Sequence, residues 1–210
     1  MSKRNQRRTW WWIAAGAVAV LLIPVAVVVV PILTHAPQGS SGQAETGDRW
    51  PLGVTATGED VRVRVLTVAA ESGPLDTSAL TPGEHIVVTG SGYDGSRGIY
   101  VAICVVAPAG EKPSPCIGGV PDQEQQDVAV GTVQWAPSNW INDDWAWKLF
   151  GARSYDDQSA GTFTAYLEVG DPIGDGIDCR TSKCAIYTRN DHTALNDRVQ
   201  DIRIPVAFAP

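Results

Sequence analysis

The stretch Asp178-Cys179-Arg180-Thr181-Ser182-Lys183-Cys184 sets two thiols five positions apart. Such a pair could hold a metal ion, carry electrons, or close a covalent loop. A zinc knuckle needs two C-x₂₋₄-C pairs, or histidines in step with them. The other two cysteines, Cys104 and Cys116, are too widely spaced for that, and the three histidines are scattered. A redox centre would use C-x-x-C, which the chain lacks. The chemistry left is a disulfide, a bond of exported proteins. Four cysteines allow three pairings. The local pairing closes only two short loops, each giving roughly 2–3 kcal/mol in the loop-entropy model.

Other groups could carry chemistry. Gly90-Ser91-Gly92-Tyr93-Asp94-Gly95 matches G-x-G-x-x-G after a strand-like run. A dinucleotide site would need a helix next, to set its N-terminus against the pyrophosphate. Ser96, Arg97 and Gly98 lead instead into another strand-like run, so these glycines read as turn residues. Acids gather at Asp122/Glu124/Asp127, Asp143/Asp144, Asp156/Asp157 and Asp171/Asp175/Asp178. None follows a calcium-loop pattern, and none stands out as a glycosidase acid; they read as solvated loops. Asp191 beside His192 suggests two members of a triad, but no nucleophile elbow accompanies them. A polar turn explains "RNDHT". Neither a catalytic residue nor a metal or cofactor site is expected.

Five aromatics, Trp135, Trp140, Trp145, Trp147 and Phe150, fall within residues 135–150. Two roles fit: a hydrophobic flap over the domain, or a contact surface for a ligand or partner. The expected contact residues are Trp140, Trp145, Trp147 and Phe150. Trp145 is expected to be buried, with Trp140 or Trp147 exposed.

What must position these groups begins at the N-terminus. Lys3, Arg4, Arg7 and Arg8 precede an uncharged apolar run from Trp10 to about Leu33. About 20 such residues cross a bilayer as a helix; the rival reading is a cleaved signal peptide, whose apolar region runs about 7–15 residues and for which Thr34-His35-Ala36 is a poor A-x-A site. Trp10, Trp11 and Trp12 suit the interfacial belt, and the basic flank stays inside. The expected organisation is a cytoplasmic tail at 1–9, a single-pass signal anchor at 10–33, a flexible Gly/Ser/Pro linker at 34–50, and one extracytoplasmic domain at 51–210. Four of the 16 basic residues precede the anchor, leaving 12 outside against all 23 acids, a net of −11. That excludes a nucleic-acid surface, which needs clustered basic charge.

The domain reads as all-β. Strand patterns appear at 61–65, 85–90, 98–106, 127–135, 162–169, 184–188 and 201–208. Pro205 removes a ladder donor and makes the last an edge strand or one with a bulge. Short strands separated by Gly/Pro turns predict a two-sheet sandwich. Residues 138–151 are ambiguous between strand and helix; Ser138 or Asn139 could cap a helix and Gly151 could end it.

Together, "IYVAIC", the loop to Cys116, "DCRTSKC" and the final alternating strand resemble the neocarzinostatin family, the enediyne chromoproteins. The resemblance covers about residues 58–210 and implies a seven-stranded immunoglobulin-like sandwich. It implies disulfides Cys104–Cys116 and Cys179–Cys184, with a ligand cleft near the first. Val105 and Val106 stand where those carriers place a chromophore-contacting aromatic, which argues against an enediyne ligand. A nearer resemblance, in Gly98–Val101, Gly110–Gly119 and Cys184–Phe208, is to sandwich domains of actinobacterial haem-transport-associated surface proteins. It implies that "TRNDHT" is a structural turn. The expectation is a non-catalytic membrane-anchored domain binding a small hydrophobic ligand, or alternatively a protein-interaction module of a surface or haem-uptake assembly.

Overall fold

The structure is a computed structural model and describes residues 10–13, 16–20, 22, 29–30, 32–45, 47, 49–119, 133–174 and 176–210. The chain divides into two units, Met1–Ala36 and Pro37–Pro210. In the first, the described residues between Trp10 and Thr34 are helical. Among the described residues no helix is long and apolar enough to cross a membrane; several residues of the apolar run lie outside that set.

The second unit is built from β1 (Gly53–Thr57), β2 (Val63–Ala70), β3 (His85–Ser91), β4 (Ile99–Val105), β5 (Ser138–Ile141), α1 (Trp145–Lys148), β6 (Phe163–Glu168), β7 (Ile173–Gly174), β8 (Ile177–Asp178), β9 (Cys184–Asn190) and β10 (Ile202–Val206). Two four-stranded sheets form, ordered β1-β2-β3-β6 and β10-β9-β4-β5, with β7-β8 as a separate ribbon. Among the described residues all the ladders are antiparallel.

Period-2 patterning explains how the sheets meet. Leu66 and Val68, Ile86 and Val88, and Phe163, Ala165 and Leu167 turn inward from the first sheet. Ile99, Val101 and Ile103 on β4, Ile186 on β9, and Ile202, Ile204 and Val206 on β10 join them in one apolar cluster. Burial contributes roughly 1.5–3 kcal/mol for each large side chain, so this cluster is the main force holding the sheets together. The side chain of Asn139 on β5 bonds both the N–H and the C=O of Tyr166 on β6, joining two sheet edges.

Register fixes which loops share an end. Thr57 pairs with Val63, Gly90 with Phe163, Ile99 with both Ile141 and Asn190, and Ile202 with Thr188. The turns at 58–62, 92–98, 142–162 and 191–201 therefore cluster at one end of the domain. Asp94 N–H donating to Gln200 and the Tyr155 hydroxyl donating to Arg97 C=O tie them together.

The expected linker departs from its reading. Residues 40–45 form a strap bound to the domain. Ser40 pairs with Arg198, its carbonyl accepts from Glu59 N–H, and its hydroxyl bonds the Glu59 carboxylate. Gln43 bonds both the N–H and the C=O of Arg203 on the β10 edge, and Glu45 pairs with the Arg203 guanidinium. The Gly-rich composition that suggested flexibility instead permits close approach. Gly42 has φ +65°, and a Cβ there would lie 2.1 Å from the Thr57 carbonyl oxygen.

Several strand boundaries also differ. The strand expected at 61–65 starts at Val63 and runs to Ala70, because Val61 sits in the preceding turn at φ 59°. β1 had no expectation. Of the strand expected at 127–135, residues 127–132 lie outside the described residues, and 133–135 are not strand. β10 lies at a sheet edge, one of the two placements Pro205 allows. In the ambiguous stretch, Asp144 caps α1 by accepting from Ala146 N–H, in place of Ser138 or Asn139, which are in β5.

Candidate functional site

The aromatic segment splits into a buried root and an exposed tip. Tyr100 and Trp140 are register partners on β4 and β5, and Trp140 is buried. Its indole N–H donates to Asp191 Oδ2 at 2.9 Å. Trp147, half-buried, lies with its ring centroid 5.8 Å from Trp140 and 4.5 Å from His192. The Tyr100 hydroxyl meets His192 Nδ1 at 3.1 Å. Trp145, Leu149 and Phe150 face solvent. The expected burial of Trp145 is overturned, and Trp140 is the structural member. Helical periodicity explains this: in a single turn starting after Asp144, residues 145 and 149 share a face turned away from Trp147. Trp135 belongs elsewhere; it stacks on His85 at 4.2 Å and packs edge-on against Tyr166.

Asp191, in the "RNDHT" turn, is fully buried. Its Oδ2 accepts from Trp140 and from Asn142 Nδ2 at 2.9 Å each. Its Oδ1 accepts the Thr193 N–H at 2.8 Å and hydroxyl at 2.5 Å. Every contact is a donor from the protein's own frame, so this carboxylate organises a turn. Sequence reasoning marked the turn as polar but missed its buried hub; the local sign was Asp-x-Thr, the pattern of an Asx turn.

The described acids have similar local work. Asp157 binds Ser159, Asp156 binds the Thr164 hydroxyl, Asp171 accepts from Ile173 N–H and Asp178 from Arg180 N–H. Asp143 pairs with Lys148 at 2.8 Å. Asp122, Glu124, Asp127 and Asp175 lie outside the described residues. Among the described residues no cluster of His, Cys, Asp and Glu could hold a metal ion. The glycine motif leads into β4 without a helix, and Gly92 takes φ +78° against the Val63 carbonyl. It is a turn.

Cys104 joins Cys116, and Cys179 joins Cys184. Next to the first bridge, Ile117 and Gly118 line a recess of about 230 Å³ with Pro137, Gly170 and Ile177, while the face of β4 and β9 that carries Cys104 is covered. Ala102, Cys104, Ala185 and Tyr187 are all buried there. The loop 107–113 and strap 40–43 line, with Tyr187, Asp201 and Arg203, a recess of about 230 Å³ of mixed polar and apolar character. Burial pushes the Asp201 carboxyl up to about 7 despite the Arg198 guanidinium 2.9 Å away.

A roomier cleft, about 400 Å³, borders the second bridge. Trp50, Val106, Pro205, Val206 and Ala207 form its apolar side; Arg49, Arg180, Lys183 and Arg203 supply positive charge, against one described acid, Glu45. Trp50 is 45% exposed, an indole half-open to a guest. Such a cleft can hold a small body by apolar contact and orient one anionic group.

No family model matches the chain, and no solved structure matches it. A curated relative, "Thiamine biosynthesis protein X" of Corynebacterium glutamicum, is 30% identical over 138 residues, 64% of this chain. The aligned part spans 61% of that relative's length, so the chain is similar to somewhat over half of it.

Proposed function

We propose that this is a non-catalytic, membrane-anchored extracytoplasmic domain that binds a small ligand with an apolar body and an anionic end. The observation that carries the reading is the 400 Å³ cleft, where Trp50 faces a positively charged border beside Cys179–Cys184. Its size falls within the usual range for small-molecule sites, about 300–1,000 Å³. The anchor reading rests on the uncharged run 10–33 behind four basic residues. Two disulfides favour an oxidising compartment. The immunoglobulin-like description is supported by the chain path: β2, β3 and β6 in one sheet face β10, β9, β4 and β5 in the other, with the chain crossing between sheets after β3, β5 and β6. Two layers with such Greek-key crossings are the pattern of that architecture. The cleft beside Cys179–Cys184 is favoured over the recess of about 230 Å³ beside Cys116, lined by Ile117 and Gly118, because it is roomier and carries Trp50 and the cations.

Calorimetric titration of the full chain in nanodiscs with 2-naphthyl phosphate tests the site. Thiamine monophosphate is the second probe, because it combines aromatic rings with a phosphate and the relative's name concerns thiamine. Trp50→Ala and Lys183→Glu should each weaken binding at least about tenfold, or ~1.4 kcal/mol. Equal affinity in the parent and both variants would refute the site. A reporter fused after Pro210 should work only if it is active in the exported compartment.

A further inference from the structure

One end of the second unit concentrates exposed apolar side chains. Val61 is 84% exposed, Trp145 70%, Leu149 65%, Phe150 50% and Leu195 45%. They come from three separate turns, 58–62, 142–162 and 191–201, which the strand registers gather at the same end. Val61 adds a second sign. It is the one described non-glycine residue at positive φ, 59°. A β-branched residue is costly there, yet its side chain is turned out to water.

The strap leaves the domain at this same end. Ser40 is fixed between Glu59 and Arg198, both in these turns. From there the chain descends along β10 to Arg203 and Glu45. The apolar run ends at about Leu33. Six intervening residues, 34–39, reach at most about 20 Å even when extended. If the run is inserted, the end of the domain carrying Val61, Trp145, Leu149 and Phe150 is the end held beside the bilayer.

We propose that this end docks on the lipid surface, with Trp145, Leu149 and Phe150 seated at the interface and Val61 and Leu195 beside them. The proposal rests on reading residues 10–33 as an anchor. Aromatic side chains partition to the headgroup level, and apolar protrusions seat in the interfacial region. The charges at this end determine the lipid. Lys148 is paired with Asp143, and Asp144 caps α1. Asp94 and Asp157 are turned into serine contacts, and Arg62 lies against Asp60; together the four turns hold ten acids against five Lys and Arg, Arg97 among them. None of this favours an anionic surface, so the contact is apolar and suits zwitterionic lipid. Trp147 and His192 brace the tip from below. The short helix therefore presents Trp145 without folding it back.

The test uses the full chain in phosphatidylcholine vesicles. Leu149→Cys and Val61→Cys are each labelled with nitrobenzoxadiazole, both at exposed sites where the fold does not depend on the side chain. Ile173→Cys is the control: it is also exposed, at 50%, and lies on β7 at the opposite end. Flotation after alkaline carbonate reports the anchor independently. The expected result is retention in carbonate, with doxyl-lipid quenching at 149 and 61 at least threefold that at 173. Quenching at 149 no greater than at 173 overturns the proposal, whatever the flotation shows. Shielding of 149 from aqueous iodide without doxyl quenching also overturns it and assigns the patch to a protein partner. Loss in carbonate with strong quenching at 149 and 61 removes the anchor but keeps the docking surface.

Discussion

Replacing Asp191 by Asn keeps the shape of the side chain but removes one acceptor and the charge. The carboxylate accepts four hydrogen bonds from three residues. An amide NH₂ turned toward Trp140 and Asn142 would face two N–H donors. Asn142 cannot flip to help, because its Oδ1 accepts the Asp144 N–H at 2.9 Å. Turned toward Thr193, the NH₂ faces one backbone N–H; the hydroxyl there can rotate and accept. The second orientation is cheaper and leaves one buried donor unpaired, roughly 1–3 kcal/mol. The two bonds on the other oxygen lose their charge assistance, a further ~1–3 kcal/mol by the same scale. Gly98 backs directly onto this oxygen, since a Cβ there would lie 1.8 Å from Oδ2. The site has little room to rearrange on that side. Asp191→Asn should therefore cost about 2–6 kcal/mol, a large part of a typical 5–15 kcal/mol total. Urea unfolding of the whole chain, followed by near-ultraviolet circular dichroism, measures it. A change within about 0.5 kcal/mol, the usual range for surface substitutions, would refute the hub.

Trp140→Ala should destabilise by about 3–5 kcal/mol, as for a buried aromatic, whereas Trp145→Ala should stay within about 0.5 kcal/mol; the same urea melts compare them, and equal losses would contradict the buried root and exposed tip. Asp201 predicts a pH dependence. Its folded-state carboxyl, raised by burial from the usual 3.8 to about 7, holds a proton that the unfolded chain has already released. Its stabilising contribution is therefore full below about pH 4, declines as pH rises, and is lost by about pH 7. The stability difference between the parent and Asp201→Asn, followed from pH 4 to pH 7, should fall by that sign; a rise would count against it.

Val/Ile strands were the most legible part. The runs at 85–90, 98–106, 162–169, 184–188 and 201–208 correspond to β3, β4, β6, β9 and β10; β3, β6 and β10 bury one face and alternate, whereas β4 and β9 are central, bury both faces and read as continuous runs. β1 was invisible for the converse reason. Gly53, Val54, Thr55, Ala56 and Thr57 are small and form an edge, and only Ala56 is buried. The strap escaped notice because Gly, Ser and Gln read as solvent-loving, while its attachment depends on residue 203, 160 positions away from Gln43. The Trp segment shows the limit of local reading. Its aromatics signalled a site, but which indole sinks depends on Asp191, 51 residues downstream of Trp140. The cysteine pairing was readable from spacing and resemblance, whereas the recess beside Tyr187 was not, since the loop 107–113 and the strap, far apart in the chain, line it together.

Gln43 has a consequence for how these molecules share a crowded surface. An exposed edge strand offers free N–H and C=O groups that invite a strand from a neighbour. At Arg203 both groups are already taken by one glutamine side chain, and two residues on, Pro205 has no N–H to offer. A neighbouring chain would meet a capped edge along the middle of β10 and could add there only by first displacing the strap. The segment leading into the domain thus serves as a guard against edge-to-edge aggregation, and Gln43→Ala should expose a surface that the native chain never presents to its neighbours.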